Sequence, residues 1–307
     1  MREEFIEELS NLAKQDRKVF LITADLGFGA LDNFKENFPN QYLNVGVAEQ
    51  NMTAIAAGLA LEGFKVFTYS IGIFPTFRCL EQIRNDICYH NLDVTIVSTG
   101  AGFSYGQLGV SHFAIDDISV MRSLPGMSII SPSDGWQIKI LLNQIYKNSS
   151  PKYIRIDKSQ AFLKEKSKDI KFGNATKIRS GDDISLVCYG GITSEAIKVS
   201  EILAKENIFC RVLEFHTLKP FDYKSLISAA IATRYIFSIE EHNINGGIGS
   251  ICAEFLAESG INYFFRRFGL PDKFPHIVGD QYYLRSYFSL DAQSIAAKCK
   301  SFLKNNK

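Results

Sequence analysis

Short apolar runs alternate with helical periodicities along most of the chain. Residues 18–25 (KVFLITAD), 65–70 (KVFTYS), 92–100 (LDVTIVSTG), 127–132 (MSIISP) and 152–157 (KYIRID) are β-branched and aromatic runs that read as strands. Between them, 49–63 (EQNMTAIAAGLALEG), 77–90 (FRCLEQIRNDICYH) and 134–147 (DGWQIKILLNQIYK) carry helical spacing, the last opened by Asp134. Alternation of this kind predicts helices packed on a largely parallel sheet. From 158 to 183 the pattern lapses into Lys-rich polar sequence, which reads as a linker. A second alternation follows, with strands at 184–191, 209–215, 235–242 and 261–269 and helices at 193–207, from about 248 to 259, and at 291–304. The pattern predicts two α/β domains, each a mostly parallel sheet flanked by helices. Their expected bounds are 1–160 and 183–307, with the linker over 161–182.

Composition narrows the class only modestly. The 307 residues are 46% hydrophobic and 22% charged with a formal net charge of +1, so no electrostatic case arises for nucleic acid or an anionic membrane as partner. The opening segment MREEFIEELSNLAKQ is an acidic amphipathic helix with Phe5, Leu9 and Leu12 on one side, which lacks the basic start and apolar core of a signal peptide. No apolar run approaches the roughly 18 residues of a membrane span. Six cysteines are scattered, mostly in apolar runs, without the spacing of a zinc site. A cytoplasmic protein is the expectation.

In open α/β sheets ligands bind beyond the carboxyl ends of the strands. Three segments lie there: NVGVAEQNM (44–52) at a helix start, YSIGIFPTF (69–77) and GAGFSYGQLGVSH (100–112). Glu49 in the first has two readings. It is a first-turn acid stabilising its helix by about 0.3–1 kcal/mol, or a partly desolvated acid poised to exchange a proton with a bound ring.

These loops, in this order, resemble the carboxyl-terminal portion of the transketolase family of thiamine diphosphate enzymes. The resemblance runs through GVAEQNM, IGIFPTFRCLEQIRND, GVSHFAIDD, YIRID, GGITSEA, TLKP and EEHNINGGIGS, covering nearly the whole chain. It implies a pyrimidine-binding domain followed by a transketolase C-terminal domain. The family places its acid at the position of Glu49, where it shares a proton with the cofactor's aminopyrimidine, and the resemblance makes Glu49 and His112 the catalytic residues. Phe74, with Ile71 and Phe77, matches the aromatic cluster that receives the ring; Phe77 reads equally well as a core aromatic. His112, Arg155 and Arg2 match residues that contact the sugar, the two arginines at its far, often phosphorylated end. His216 and His242 read as structural or interface residues.

Three positions depart from the family. A serine falls at Gly29, a phosphate-binding histidine at Gly100, and an aspartate that reads a sugar hydroxyl at Leu108. A site lacking those groups discriminates against the standard pentose and hexose phosphates, so a modified or nucleotide-linked sugar is the first substrate to try. The chain also lacks the Gly-Asp-Gly motif that, with a later Asn, holds the cofactor's diphosphate through Mg²⁺ or Ca²⁺. The resemblance therefore implies a split enzyme. A partner chain supplies the metal site, and two copies of each chain form an α2β2 heterotetramer that transfers a two-carbon ketol unit between sugars. Chemistry like that of deoxyxylulose-phosphate synthase or of the 2-oxo-acid dehydrogenase β chains, and a non-catalytic assembly role, stand as alternatives.

Overall fold

The computed structural model describes residues 1–163 and 169–305. Part of the expected linker, 164–168, lies outside the described residues. The first sheet contains β1 (Val19–Thr23), β2 (Tyr42–Asn44), β3 (Lys65–Ile71), β4 (Val94–Thr99), β5 (Ser128–Ile130) and β6 (Lys152–Ile156), and the second contains β7 (Thr176–Arg179), β8 (Ile184–Cys188), β9 (Cys210–Glu214), β11 (Tyr235–Asn243) and β12 (Phe264–Leu270). A further strand, β10 (Thr217–Lys219), leaves the second domain and joins the first sheet antiparallel to β5. The strand orders are β10-β5-β6-β4-β3-β1-β2 and β12-β11-β8-β9-β7, parallel except for β10 and the antiparallel edge β7.

The helices are α1 (Arg2–Gln15), α2 (Asp32–Asn37), α3 (Glu49–Leu61), α4 (Leu80–Gln82, widening into a π-helical turn over Ile83–Cys88), α5 (Asp117–Ser123), α6 (Gly135–Ile145), α7 (Thr193–Ala204), α8 (Tyr223–Thr233), α9 (Ile248–Glu258), α10 (Gln281–Tyr287) and α11 (Ala292–Asn305). Among the described residues no helix is long and apolar enough to cross a membrane.

The buried strands follow from the sequence pattern. β4 and β6 are buried at every position, as strands covered on both faces must be. Alternate residues of β1 and β3 feed different cores. Val19, Leu21, Phe67 and Tyr69 pack with Phe5, Leu9 and Leu12 of α1, whereas Ile22, Val66 and Ile96 face Met52, Ala56 and Ala57 of α3. Asp134 caps α6 in a reciprocal capping box with Gln137. The α3-side core continues into Val187, Leu213, Phe215 and Ile236 of the second domain, so the two domains share one apolar interior.

One expectation changes here. Strand β7 falls inside the segment read as linker, yet it pairs with β9 as an edge of the second sheet. Four residues at an edge need little apolar signal, and TKIR shows none. Helix α3 is buried on one face only, and Asn51, Ala54, Gly58 and Leu61 lie exposed on the other.

Candidate active site

The candidate groups sit where parallel strands end. Glu49 is the first residue of α3, and its carboxylate is 3% exposed. Its Oε2 accepts a 2.6 Å hydrogen bond from Arg78 Nη1, and the two form an ion pair. Arg78 lies just before α4, and its guanidinium carbon stands 4.9 Å from the centroid of the Phe74 ring. Phe74 lies in the turn that follows β3. There Gly72, at φ +50°, lets the His112 carbonyl approach to 3.2 Å from where a β-carbon would stand. Ile71 closes β3 beside Thr99, and Phe77 is exposed next to Arg78.

The loop after β4 closes the other side. The His112 ring meets Phe74 edge-on at 5.2 Å and Tyr105 at 6.4 Å. Its Nδ1 is 3.0 Å from Ser111 Oγ, and partial burial lowers its basicity. Tyr105 in turn carries the Lys158 ammonium 3.7 Å above its ring. A cavity of about 370 Å³ opens there, lined by Arg2, Tyr105, Asp157, Lys158 and Gln160 among others. Burial and the nearby Arg2 charge lower the Lys158 pKa. One line of contacts thus runs Glu49, Arg78, Phe74, His112, Tyr105 and Lys158, ending at the cavity that Arg2 also lines.

Arg155 is not on that line. The sequence places it at the far end of a sugar, but it is the fourth residue of the central strand β6 and only 2% exposed. Its Nε donates to Asp117 Oδ2 at 2.9 Å and its Nη2 to the carbonyls of Ala114 (2.7 Å) and Glu241 (3.3 Å). Tyr153 donates to the same carboxylate oxygen at 2.5 Å. A guanidinium so committed ties the two domains together and cannot reach a ligand without breaking the core. The cations that line the cavity are Arg2 and Lys158; Lys158, two residues beyond the strand end, is one that sequence reading missed, together with Arg78 and Tyr105. Their signal was position: a polar residue just past a buried parallel strand faces the ligand edge, whereas one inside it faces the interior.

The departures also acquire a physical account. At Gly100, φ +90°, a β-carbon would lie 2.2 Å from the Tyr105 ring, so the ring occupies the room a side chain would need. Gly29 is exposed with open space around it, and Leu108 is exposed on the loop. His216 and His242 are fully buried. All six cysteines are free, five of them buried. Among the described residues no group of three or more His, Cys, Asp or Glu could hold a metal ion.

A buried carboxylate at a helix start, an aromatic face and a histidine thus lie together along the carboxyl edge of a parallel sheet. Residues 1–162 match the model of the transketolase pyrimidine-binding domain and residues 173–295 that of the transketolase C-terminal domain, so the chain belongs to the transketolase family. It is 32% identical to one of the chains of the apulose-4-phosphate transketolase of Phocaeicola vulgatus, over 99% of this chain and 97% of that one. It is also 32% identical to the 6-deoxy-6-sulfo-D-fructose transketolase subunit SqwH of a Clostridium species, over 96% and 92%. A solved split-gene transketolase, described as an inactive β4 tetramer, superposes with a TM-score of 0.85 at 32% identity, covering 98% of this chain and 96% of that one.

Proposed function

We propose that this chain is the C-terminal subunit of a split, thiamine diphosphate-dependent transketolase that moves a two-carbon ketol unit from a ketose to an aldehyde. The observation that carries the reading is the unbroken line of contacts from Glu49 to the Arg2–Lys158 cavity, together with full-length similarity to named split-transketolase subunits. The residues fit the pyrimidine half of the cofactor, because an acid buried at the sheet edge and the Phe74 ring offer one in-plane and one stacking contact. When bound, thiamine diphosphate supplies the carbon nucleophile and stores the electrons of the transferred unit. This chain's residues do the rest: Glu49 shares a proton with the ring, Phe74 with Ile71 and Phe77 holds it, and His112 meets the sugar's oxygen atoms. Lys158 and Arg2 receive an anionic end.

The Mg²⁺ or Ca²⁺ and the diphosphate belong to a partner chain carrying the Gly-Asp-Gly motif. The exposed face of α3, with Ala54, Gly58 and Leu61, suits self-association into an α2β2 heterotetramer in the cytoplasm. The substrate differs from standard sugar phosphates, since Gly29, Gly100 and Leu108 withdraw polar contacts. The named relatives likewise act on an unusual phosphate and a sulfonate. The test is reconstitution with a Gly-Asp-Gly chain, thiamine diphosphate and Mg²⁺, followed by mass spectrometry of ketose and aldehyde mixtures. Two-carbon transfer is expected. Decarboxylation of a 2-oxo acid without ketol transfer would overturn the assignment. On xylulose 5-phosphate with ribose 5-phosphate, kcat/KM should fall below about 10⁴ M⁻¹s⁻¹.

A further inference from the structure

We propose that Arg78 occupies the aminopyrimidine's seat in the free subunit and must leave it when the cofactor arrives. The inference rests on the pyrimidine-site reading of Glu49 and Phe74 above. A guanidinium is a flat cation with N–H donors in its plane. Here it makes two contacts at once, an in-plane ion pair to Glu49 Oε2 at 2.6 Å and a face contact 4.9 Å from the Phe74 centroid. An aminopyrimidine is also flat, with N–H and ring nitrogen in its plane, and needs the same two contacts. The two compete for Oε2 of Glu49 and for the same Phe74 ring, so the arriving ring displaces the guanidinium.

The pair is asymmetric in a way that suits replacement. Glu49 is 3% exposed and fixed at the start of α3, while Arg78 is 46% exposed and follows an irregular turn containing Gly72 and Pro75. The arginine can therefore swing into solvent while the acid stays. The arrangement also answers a difficulty of a half-site. A buried carboxylate without a partner is strongly destabilising, and a subunit folded without its cofactor would carry one. Arg78 neutralises it until the ring takes over, which makes Arg78 a positioning residue for Glu49.

The test uses the full chain and the free ring, 4-amino-5-hydroxymethyl-2-methylpyrimidine, titrated by proton NMR. Arg78→Ala should bind the ring at least about tenfold more tightly than the unmodified chain, and adding Glu49→Gln should abolish the gain. Arg78→Lys keeps a cation for Glu49 without the flat face, so it guards against loss of folding; it should retain the thermal midpoint and gain affinity to a smaller degree. Equal or weaker ring binding by the folded variants would overturn the proposal. If that result came with an assembled enzyme that still required thiamine diphosphate, only the seat-holding role would fall. An active assembly free of the cofactor would instead bring down the underlying reading.

Discussion

Glu49 owes its burial to its place, the first turn of a helix whose inner face is Met52, Thr53, Ala56 and Ala57. An acid there stabilises the helix end whatever else it does, so the nonapeptide could not distinguish electrostatics from chemistry. On the proposed reading its surroundings favour chemistry: Arg78 pairs with it, and Phe74 and then His112 follow in contact from two other loops. In the reconstituted enzyme, Glu49→Gln should keep cofactor binding while lowering turnover by roughly 10²–10⁴, the range of a lost acid–base group. Unchanged turnover would remove Glu49 from the chemistry. Arg155 shows the opposite limit of sequence reading, since a charge inside a strand run looks like a ligand until the strand proves central. The buried histidines yield a separate prediction. His242 donates Nδ1–H to the Asn243 carbonyl at 2.7 Å, and Nε2 of both His242 and His216 has no hydrogen-bond partner, so burial pushes each down to about 4. Each is neutral in the folded chain near pH 6, where the unfolded imidazole, with a pKa near 6.5, takes up a proton. Their contribution to stability is thus complete above about pH 6.5 and is lost as the pH falls toward 4. Urea unfolding between pH 7 and 5 should show the loss, and His216→Asn should reduce it.

At the scale of elements, the loop after β4 decides what the site accepts. Tyr105 stands where a side chain at position 100 would have to go, touches His112, and supports Lys158. Gly100→His should therefore destabilise the chain by about 1–3 kcal/mol through strain at positive φ and overpacking. Tyr105→Ala in the same chain should recover part of that loss, a coupling readable in a double-mutant cycle of urea unfolding. Additive effects would mean that the two positions do not share space. Most elements were legible as continuous apolar runs or helical periods. Among the strands the exceptions, β2, β7 and β10, are three or four residues long and lie at sheet edges, where partner strands rather than their own sequence define them, and the helices α2, α5, α8 and α10 were not read from the sequence.

In the whole molecule the two domains behave as one. β10 crosses into the first sheet, and Arg155 gathers Asp117, Ala114 and the Glu241 carbonyl between them. The Glu241 side chain pairs with Arg285 and accepts from the Phe103 amide of the loop after β4. Arg155→Met would leave the Asp117 carboxylate buried without its cation and should cost about 3–5 kcal/mol in urea unfolding. A change within about 0.5 kcal/mol would show that the seam is not held by this pair. The two-domain order was legible in the alternation of runs, but the bridging was not, because it depends on long-range pairing. The central claim is that this chain holds only half of a cofactor site. Titration calorimetry with thiamine diphosphate and Mg²⁺ tests it most directly, first on the chain alone and then on the chain mixed with a Gly-Asp-Gly partner. The account predicts no binding tighter than roughly 1 mM for the chain alone and binding near about 1 µM for the pair; micromolar binding by the isolated chain would contradict it.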